Sequence, residues 1–262
     1  MTGLEFKDHF SSHAAAYANA RPRYPHALFT WLATLTANHD TAWDCGTGNG
    51  QAALGLAAHY AQIIATDPSK QQIGSAFPHA HVHYRVVPAE SPGLEPHSVD
   101  LVTVAQAVHW FDRPKFYAQV RKTLKPDGAI AVWCYGLCSI TPDIDTVVQD
   151  FYAGETGPYW PPERTLIDEA YRTIEFPFDE IAAPTFSMTQ DWDLSQFSAY
   201  LDTWSAVQHF IKQNGRDPVR DFEKILRKVW GSSTQQRQVV WPLHIRAGKL
   251  TRPQNPGRTK RL

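Results

Sequence analysis

Residues 42–51 read Ala42-Trp43-Asp44-Cys45-Gly46-Thr47-Gly48-Asn49-Gly50-Gln51: an apolar start, one acid, then three glycines at alternate positions. Gly46, Gly48 and Gly50 let the backbone turn through conformations closed to residues with a Cβ, and they remove side chains that would block a ligand lying on the loop. The alanines and leucines of 51–60 favour helix. The stretch is therefore strand, glycine loop, helix, with Asp44 where the strand ends. Such a loop offers unpaired backbone N–H groups at a helix N-terminus, a general ligand cradle.

Spacing narrows the ligand. A phosphate-binding P-loop ends in Gly-Lys-Ser/Thr, whereas Gly50 is followed by Gln51-Ala52-Ala53. A dinucleotide fingerprint needs its third glycine at position 51, which is glutamine. Asp44 also opposes a pyrophosphate, because a carboxylate near the loop repels negative charge in a low-dielectric pocket. It suits a cationic, phosphate-free ligand, and S-adenosylmethionine, with its sulfonium, ammonium, ribose and adenine, answers that description.

Upstream of the loop, residues 10–25 run from an alanine-rich stretch into Arg21-Pro22-Arg23-Tyr24-Pro25, a short helix stopped by prolines. Leu28, Trp31, Leu32 and Leu35 then mark an amphipathic helix over 26–35. Downstream, 63–67 is a second strand, again ended by an acid, Asp67, before the turn Pro68-Ser69. A carboxylate there can accept both ribose hydroxyls, in nicotinamide cofactors as in S-adenosylmethionine. Residues 82–87 form a third strand running into Pro88-Ala89-Glu90, where Ala89 and Glu90 can meet an adenine edge. A fourth strand, 99–104, leads to Gln106, which would face the methionine part. A helix over 114–124, a turn over 125–128 and a fifth strand over 129–135 complete a pattern of a parallel sheet with helices on both faces.

Past Gly136 the rhythm changes. Helices are expected over 141–152, 163–174, 194–212 and 218–230, with strand pieces at 176–178 and 185–188. A late strand over 239–245 contains Pro242, which confines it to an edge or irregular position. The expected organisation is a cofactor segment and core over 1–136, a cap and substrate region over 137–230, a closing strand within 231–250 and a basic, disordered tail over 251–262.

With 262 residues, 43% hydrophobic and 19% charged, the chain can build one sizeable core with an appended lobe. Its 25 Lys and Arg nearly balance its 26 Asp and Glu, so no global attraction to nucleic acid or anionic membrane is expected. A small-molecule substrate is the expected partner, to a monomer or homodimer. Three cysteines fit free thiols in a reducing compartment. With neither a signal-like apolar run at the start nor an apolar span of membrane length, a cytoplasmic location is expected.

The chain resembles the class I S-adenosylmethionine-dependent methyltransferases of the type 11 kind, and within them the trans-aconitate methyltransferase-like small-molecule group. The resemblance rests on residues 44–50, Asp67, Ala89-Glu90, the run 98–111, Leu124-Lys125-Pro126-Asp127-Gly128, and Tyr17 with Arg21-Pro22-Arg23-Tyr24-Pro25. It implies a Rossmann-like α/β fold: a seven-stranded, mostly parallel sheet with its final strand inserted antiparallel, plus a helical and irregular substrate cap. It further implies S-adenosylmethionine held by Tyr17, Arg23, Asp44, Cys45, Gly46, Gly48, Asp67, Pro68, Ala89, Glu90 and Gln106.

Methyl transfer is an in-line displacement at an already activated carbon, so the protein mainly aligns the acceptor and excludes water. A hydroxyl acceptor needs a base, for which His109 is the candidate; a carboxylate acceptor needs none and wants an Arg or Lys clamp. Tyr24, His109, Trp110, Tyr159 and Trp160 are candidate substrate residues, with Tyr152 and Trp204 as further aromatics. His79, His81 and His83 alternate, but no carboxylate or cysteine stands at ligand spacing, so no metal is expected. Cys134 and Cys138 are expected to be buried and Asp100 structural. The competing readings are an NAD(P)-dependent oxidoreductase and a non-catalytic regulator that keeps the cofactor fold.

Overall fold

The computed structural model describes residues 21–251. Tyr17, the alanine-rich stretch before Arg21 and the tail after Thr251 lie outside the described residues. In chain order the elements are α1 His26–Thr34, β1 Thr41–Cys45, α2 Gln51–Leu56, β2 Gln62–Asp67, α3 Lys70–Gly74, β3 Val82–Val86, β4 Val99–Ala105, α4 Arg113–Thr123 and β5 Leu124–Cys134. There follow α5 Pro142–Ala153, α6 Arg164–Asp168, β6 Asp179–Ile181, β7 Phe186–Trp192, α7 Leu194–Asp202, α8 Ser205–Asn214, α9 Pro218–Trp230 and β8 Arg237–Lys249.

The sheet runs β3-β2-β1-β4-β5-β8-β6, and β7 joins as an eighth strand along β8. Strands β1 to β5 pair in parallel, and β8 enters antiparallel between β5 and β6. Side chains of successive strand residues point to opposite faces. Ala42, Leu101 and Ala131 accordingly pack under α1 and α2 with Leu28, Leu32 and Leu56, while Trp43, Val102 and Val132 pack under α4 with Phe116 and Val120. Both faces are covered, as the near-continuous apolar runs of β1, β2 and β4 require.

Several expectations from sequence need correction. The turn over 125–128 is a bulge within β5: Leu124 lies opposite Val99, and the next pair is Ala129 with Leu101. The helix expected over 163–174 stops at Asp168, and Ala170 and Tyr171 both adopt φ +56. Full burial of Tyr171 outweighs the helical propensity there. Phe176-Pro177-Phe178 is no strand: Phe178 N–H donates to Phe176 O at 2.9 Å, a tight turn around a proline that has no N–H for a ladder. The single helix expected over 194–212 breaks at Thr203 and Trp204, where Trp204 is extended (ψ 132) and the Thr203 hydroxyl donates to Tyr200 O at 2.6 Å. Pro242 pairs with Ser187 of β7 just beyond the last β5 partner of β8, His244, the irregular position its missing donor demands.

Candidate functional site

Beyond the carboxyl ends of β1, β2 and β4 lies a cavity of about 620 Å³, within the range of small-ligand and cofactor sites. Gly46, Gly48, Asp67, Pro68, Ala89, Glu90 and Gln106 line it, as do Tyr24, His109, Trp110 and Trp160. The structure thus brings together most of the residues that the sequence singles out.

Asp67 closes β2. Its Oδ2 accepts from Gly48 N–H at 2.9 Å and its Oδ1 from Ser69 N–H at 2.8 Å. Glu90 accepts from Asp112 N–H at 2.8 Å, which holds it on the wall beside the start of α4. Gln106 adopts φ +56, and its side-chain amide makes two bonds with the Tyr135 backbone, 3.0 Å to the carbonyl and 2.9 Å from the N–H. Its amide therefore staples the mouth of β4 to the residue after β5.

Asp44 does not line the cavity but lies beneath the glycine loop, fully buried. It accepts from the Thr47 hydroxyl at 2.5 Å and the Thr103 hydroxyl at 2.8 Å. Burial pushes its pKa up to about 6 against those two bonds, leaving a carboxylate that gains from a nearby cation. Cys45 is also buried behind the loop, and Arg23 is exposed, outside the lining. Tyr159 faces elsewhere: its ring packs edge-on against Phe210 and its hydroxyl accepts from Asn214.

Position 51, where a dinucleotide fingerprint would have glycine, has its own task. Gln51 donates to Pro22 O at 3.2 Å and accepts from Tyr24 N–H at 3.3 Å, latching the Arg21-Pro22-Arg23-Tyr24 segment onto the first turn of α2. The latch sets Arg21 and Tyr24 at the cavity. Arg21 donates to the Tyr135 hydroxyl at 3.1 Å and to Thr203 O at 3.0 Å, satisfying a carbonyl where α7 ends.

The far wall is aromatic and cationic. Trp160, Tyr200 and Trp204 line it together with Arg164. Arg164 Nε donates to the Tyr152 hydroxyl at 2.9 Å and to Asp168 at 3.2 Å, and its guanidinium lies 4.6 Å from the Trp160 ring centre. Its two terminal nitrogens have no partner among the described residues. His109, in a single turn after β4, is buried at 5% exposure, and its Nδ1 lies 2.7 Å from the Tyr171 hydroxyl. Burial, with the Arg164 and Arg113 charges, lowers its pKa to about 3, so the imidazole is neutral.

Arg164, Tyr171 and Tyr200 carry no motif spacing in the sequence and come to the site only through the fold of α6, the turn after it and α7. Among the described residues, no group of three His, Cys, Asp or Glu is placed to hold a metal ion, and no helix is long and apolar enough to cross a membrane.

These residues fit S-adenosylmethionine. A Cβ built on Gly48 meets only the Gln72 amide oxygen, at 3.8 Å, so the loop surface there is open to a ligand. The buried anion beneath it favours positive charge, and no P-loop lysine is present to receive a phosphate. The family described as "Methyltransferase domain" matches residues 43–132, from within β1 to within β5. A Dictyostelium discoideum protein assigned as a methyltransferase is 33% identical over 243 residues, spanning 91% of this chain and 92% of that protein. An uncharacterised methyltransferase of Schizosaccharomyces pombe is 25% identical over 224 residues, 82% of this chain and 83% of its own. The solved structure of a protein assigned as a type II methyltransferase, from Anaeromyxobacter dehalogenans, superposes with a TM-score of 0.82 at 43% identity, covering 87% of this chain and 97% of that one. A nicotinamide oxidoreductase is thereby set aside, and so is a non-catalytic role. The chain belongs to the class I methyltransferases, enzymes that use S-adenosylmethionine as cofactor.

Proposed function

We propose that the protein methylates a carboxylate oxygen of a small-molecule acid held between the glycine loop and the aromatic wall. Arg164 carries this reading. One edge of its guanidinium is pinned by Tyr152 and Asp168, which leaves the terminal fork free to clamp a carboxylate in bidentate fashion. The second guanidinium, Arg21, stands on the same wall beside Tyr200, 5.5 Å from its ring centre. The cofactor side carries Asp67 and Glu90. Both guanidinium groups thus stand on the wall where an anion is to sit.

S-adenosylmethionine supplies a methyl carbon on a sulfonium sulfur, which leaves as a neutral thioether when an acceptor lone pair forms the new bond to that carbon. In this reading Asp67 receives the ribose hydroxyls, and Ala89 and Glu90 meet the adenine. Pro68, Gly46 and Gly48 form the floor, and Asp44 supports the cationic end from below. Arg21, latched by Gln51, replaces Arg23 as the arginine of the N-terminal segment that faces the site. Arg164 orients the acceptor, and Trp160 and Trp204 exclude water from the region of transfer. Residues 137–230 serve as the substrate cap. An acid acceptor agrees with the resemblance to the trans-aconitate methyltransferase-like group.

The test is transfer of a labelled methyl group to a panel of small acids and matched alcohols. Acids are expected to be methylated, and Arg164→Gln is expected to raise the acid KM by tenfold or more, about the value of one charged hydrogen bond, with S-adenosylhomocysteine affinity unchanged. Turnover confined to alcohols or amines, or an unchanged KM in Arg164→Gln, would contradict the reading.

A further inference from the structure

Tyr171 is a bulky residue in the left-handed region, φ +56, next to a second non-glycine residue, Ala170, in the same conformation. Such a pair is strained and persists only where the surroundings enforce it. Here they do. Tyr171 N–H donates to Leu166 O at 2.9 Å, and Arg246 of β8 donates to Tyr171 O at 3.2 Å and also to Ile174 O. The strained turn drives the Tyr171 ring into full burial and delivers its hydroxyl to His109 Nδ1 at 2.7 Å.

That bond has a direction. Among the described residues the Tyr171 hydroxyl has no other partner. If Nδ1–H were the donor, the phenol proton would be buried without an acceptor, with the full desolvation penalty of an unsatisfied group. If the phenol donates, both groups are satisfied and the ring proton resides on Nε2. His109 lines the cavity, and Nε2 has no protein partner among the described residues.

We propose that Tyr171 is a positioning residue that fixes His109 with its proton on Nε2, so that His109 is a hydrogen-bond donor to the acceptor molecule and not a base. An imidazole in this tautomer can bind an acceptor oxygen that needs no deprotonation, as a carboxylate does, but cannot take the proton that an alcohol must lose. This consequence for the substrate rests on the carboxylate reading above. The tautomer does not.

The experiment is 15N NMR of the histidine-labelled full chain at neutral pH, with the His109 ring assigned by its loss in His109→Gln. The expected result is a protonated Nε2 and an unprotonated Nδ1 shifted as a hydrogen-bond acceptor is, with that shift lost in Tyr171→Phe. A protonated Nδ1 in the wild type, or an Nδ1 signal that Tyr171→Phe does not move, overturns the proposal. The wild-type spectrum decides the question even if Tyr171→Phe does not fold, and it needs no substrate, so failure here is distinct from failure to find an acid acceptor. In kinetics, Tyr171→Phe is expected to raise acceptor KM by about five- to tenfold, with S-adenosylhomocysteine affinity unchanged, and to have no further effect in a His109→Gln background. An equal rise in both backgrounds would show that Tyr171 acts on the fold alone.

Discussion

The Gly48 N–H and the Asp67 carboxylate meet at 2.9 Å across 19 residues of chain, joining the glycine loop to the end of β2. With Ser69 N–H on its other oxygen, Asp67 is held in place by the protein itself. The acid proposed to receive the ribose is therefore preorganised, and its orientation requires no further ordering when a ligand arrives.

Two glycines of the loop should separate binding from folding. Gly50 has φ +88, and a Cβ there would stand 2.1 Å from the Tyr84 hydroxyl, so Gly50→Ala is expected to lose about 2–4 kcal/mol of stability through clash and backbone strain. Gly48 has φ +56 but open space beside it; Gly48→Ala should lose only about 1–2 kcal/mol. Its Cβ points into ligand space, so S-adenosylhomocysteine affinity should fall at least tenfold. Denaturant unfolding and titration calorimetry on both variants check the contrast, which an equal loss of stability would contradict.

Asp44 should make stability depend on pH. Its pKa is raised from 3.8 to about 6, so the folded state holds the proton more tightly than the unfolded state. That contribution is fully present below about pH 4 and is lost as pH rises through 6; at neutral pH the ionised group opposes folding by roughly 3 kcal/mol. Asparagine does not titrate, so the stability of Asp44→Asn relative to wild type should be greatest at pH 7 and shrink toward pH 4.5. A difference that stays flat across that range would contradict the assignment.

Asp100 is expected to be structural. Only 3% exposed, it accepts from Asp40 N–H at 3.0 Å and Thr41 N–H at 2.9 Å and pairs with Lys125 at 2.9 Å, fixing the chain as it enters β1. Asp100→Ala should lower stability by about 2–4 kcal/mol and leave S-adenosylhomocysteine affinity within about twofold, since Asp100 is absent from the cavity wall. A selective loss of affinity would refute this.

Cys45, Cys134 and Cys138 are all buried, and burial pushes the latter two thiols up to about 12 and Cys45 well above its usual range. The native protein should react with a thiol reagent roughly a thousandfold slower than a free cysteine, and all three should react in denaturant. Fast labelling of any one in the native state would show an opening that the fold does not provide.

The cofactor half was legible because its signals are local. Glycine spacing, strand-ending acids and short apolar runs bounded by turn residues fix β1 to β5 and the loops above them without reference to distant residues. The antiparallel entry of β8 is not a local property and came only with the resemblance. The cap resisted for the same reason. Tyr171 leaves the helical region because of contacts with His109 and Arg246, 62 and 75 residues away, and the break at Trp204 is stabilised by Arg21 from the other end of the chain. Arg164 and Arg23 are indistinguishable in isolation, and only the fold turns one toward the cavity and the other to solvent.

Whether the cofactor lies against Asp67 is decided by calorimetric titration of S-adenosylhomocysteine into the wild type and into Asp67→Ala. The wild type should bind in the micromolar range, and loss of the carboxylate that meets the ribose should weaken binding by about a hundredfold or more, the value of two charged hydrogen bonds. Equal affinity in the two proteins would show that the cofactor does not occupy this site.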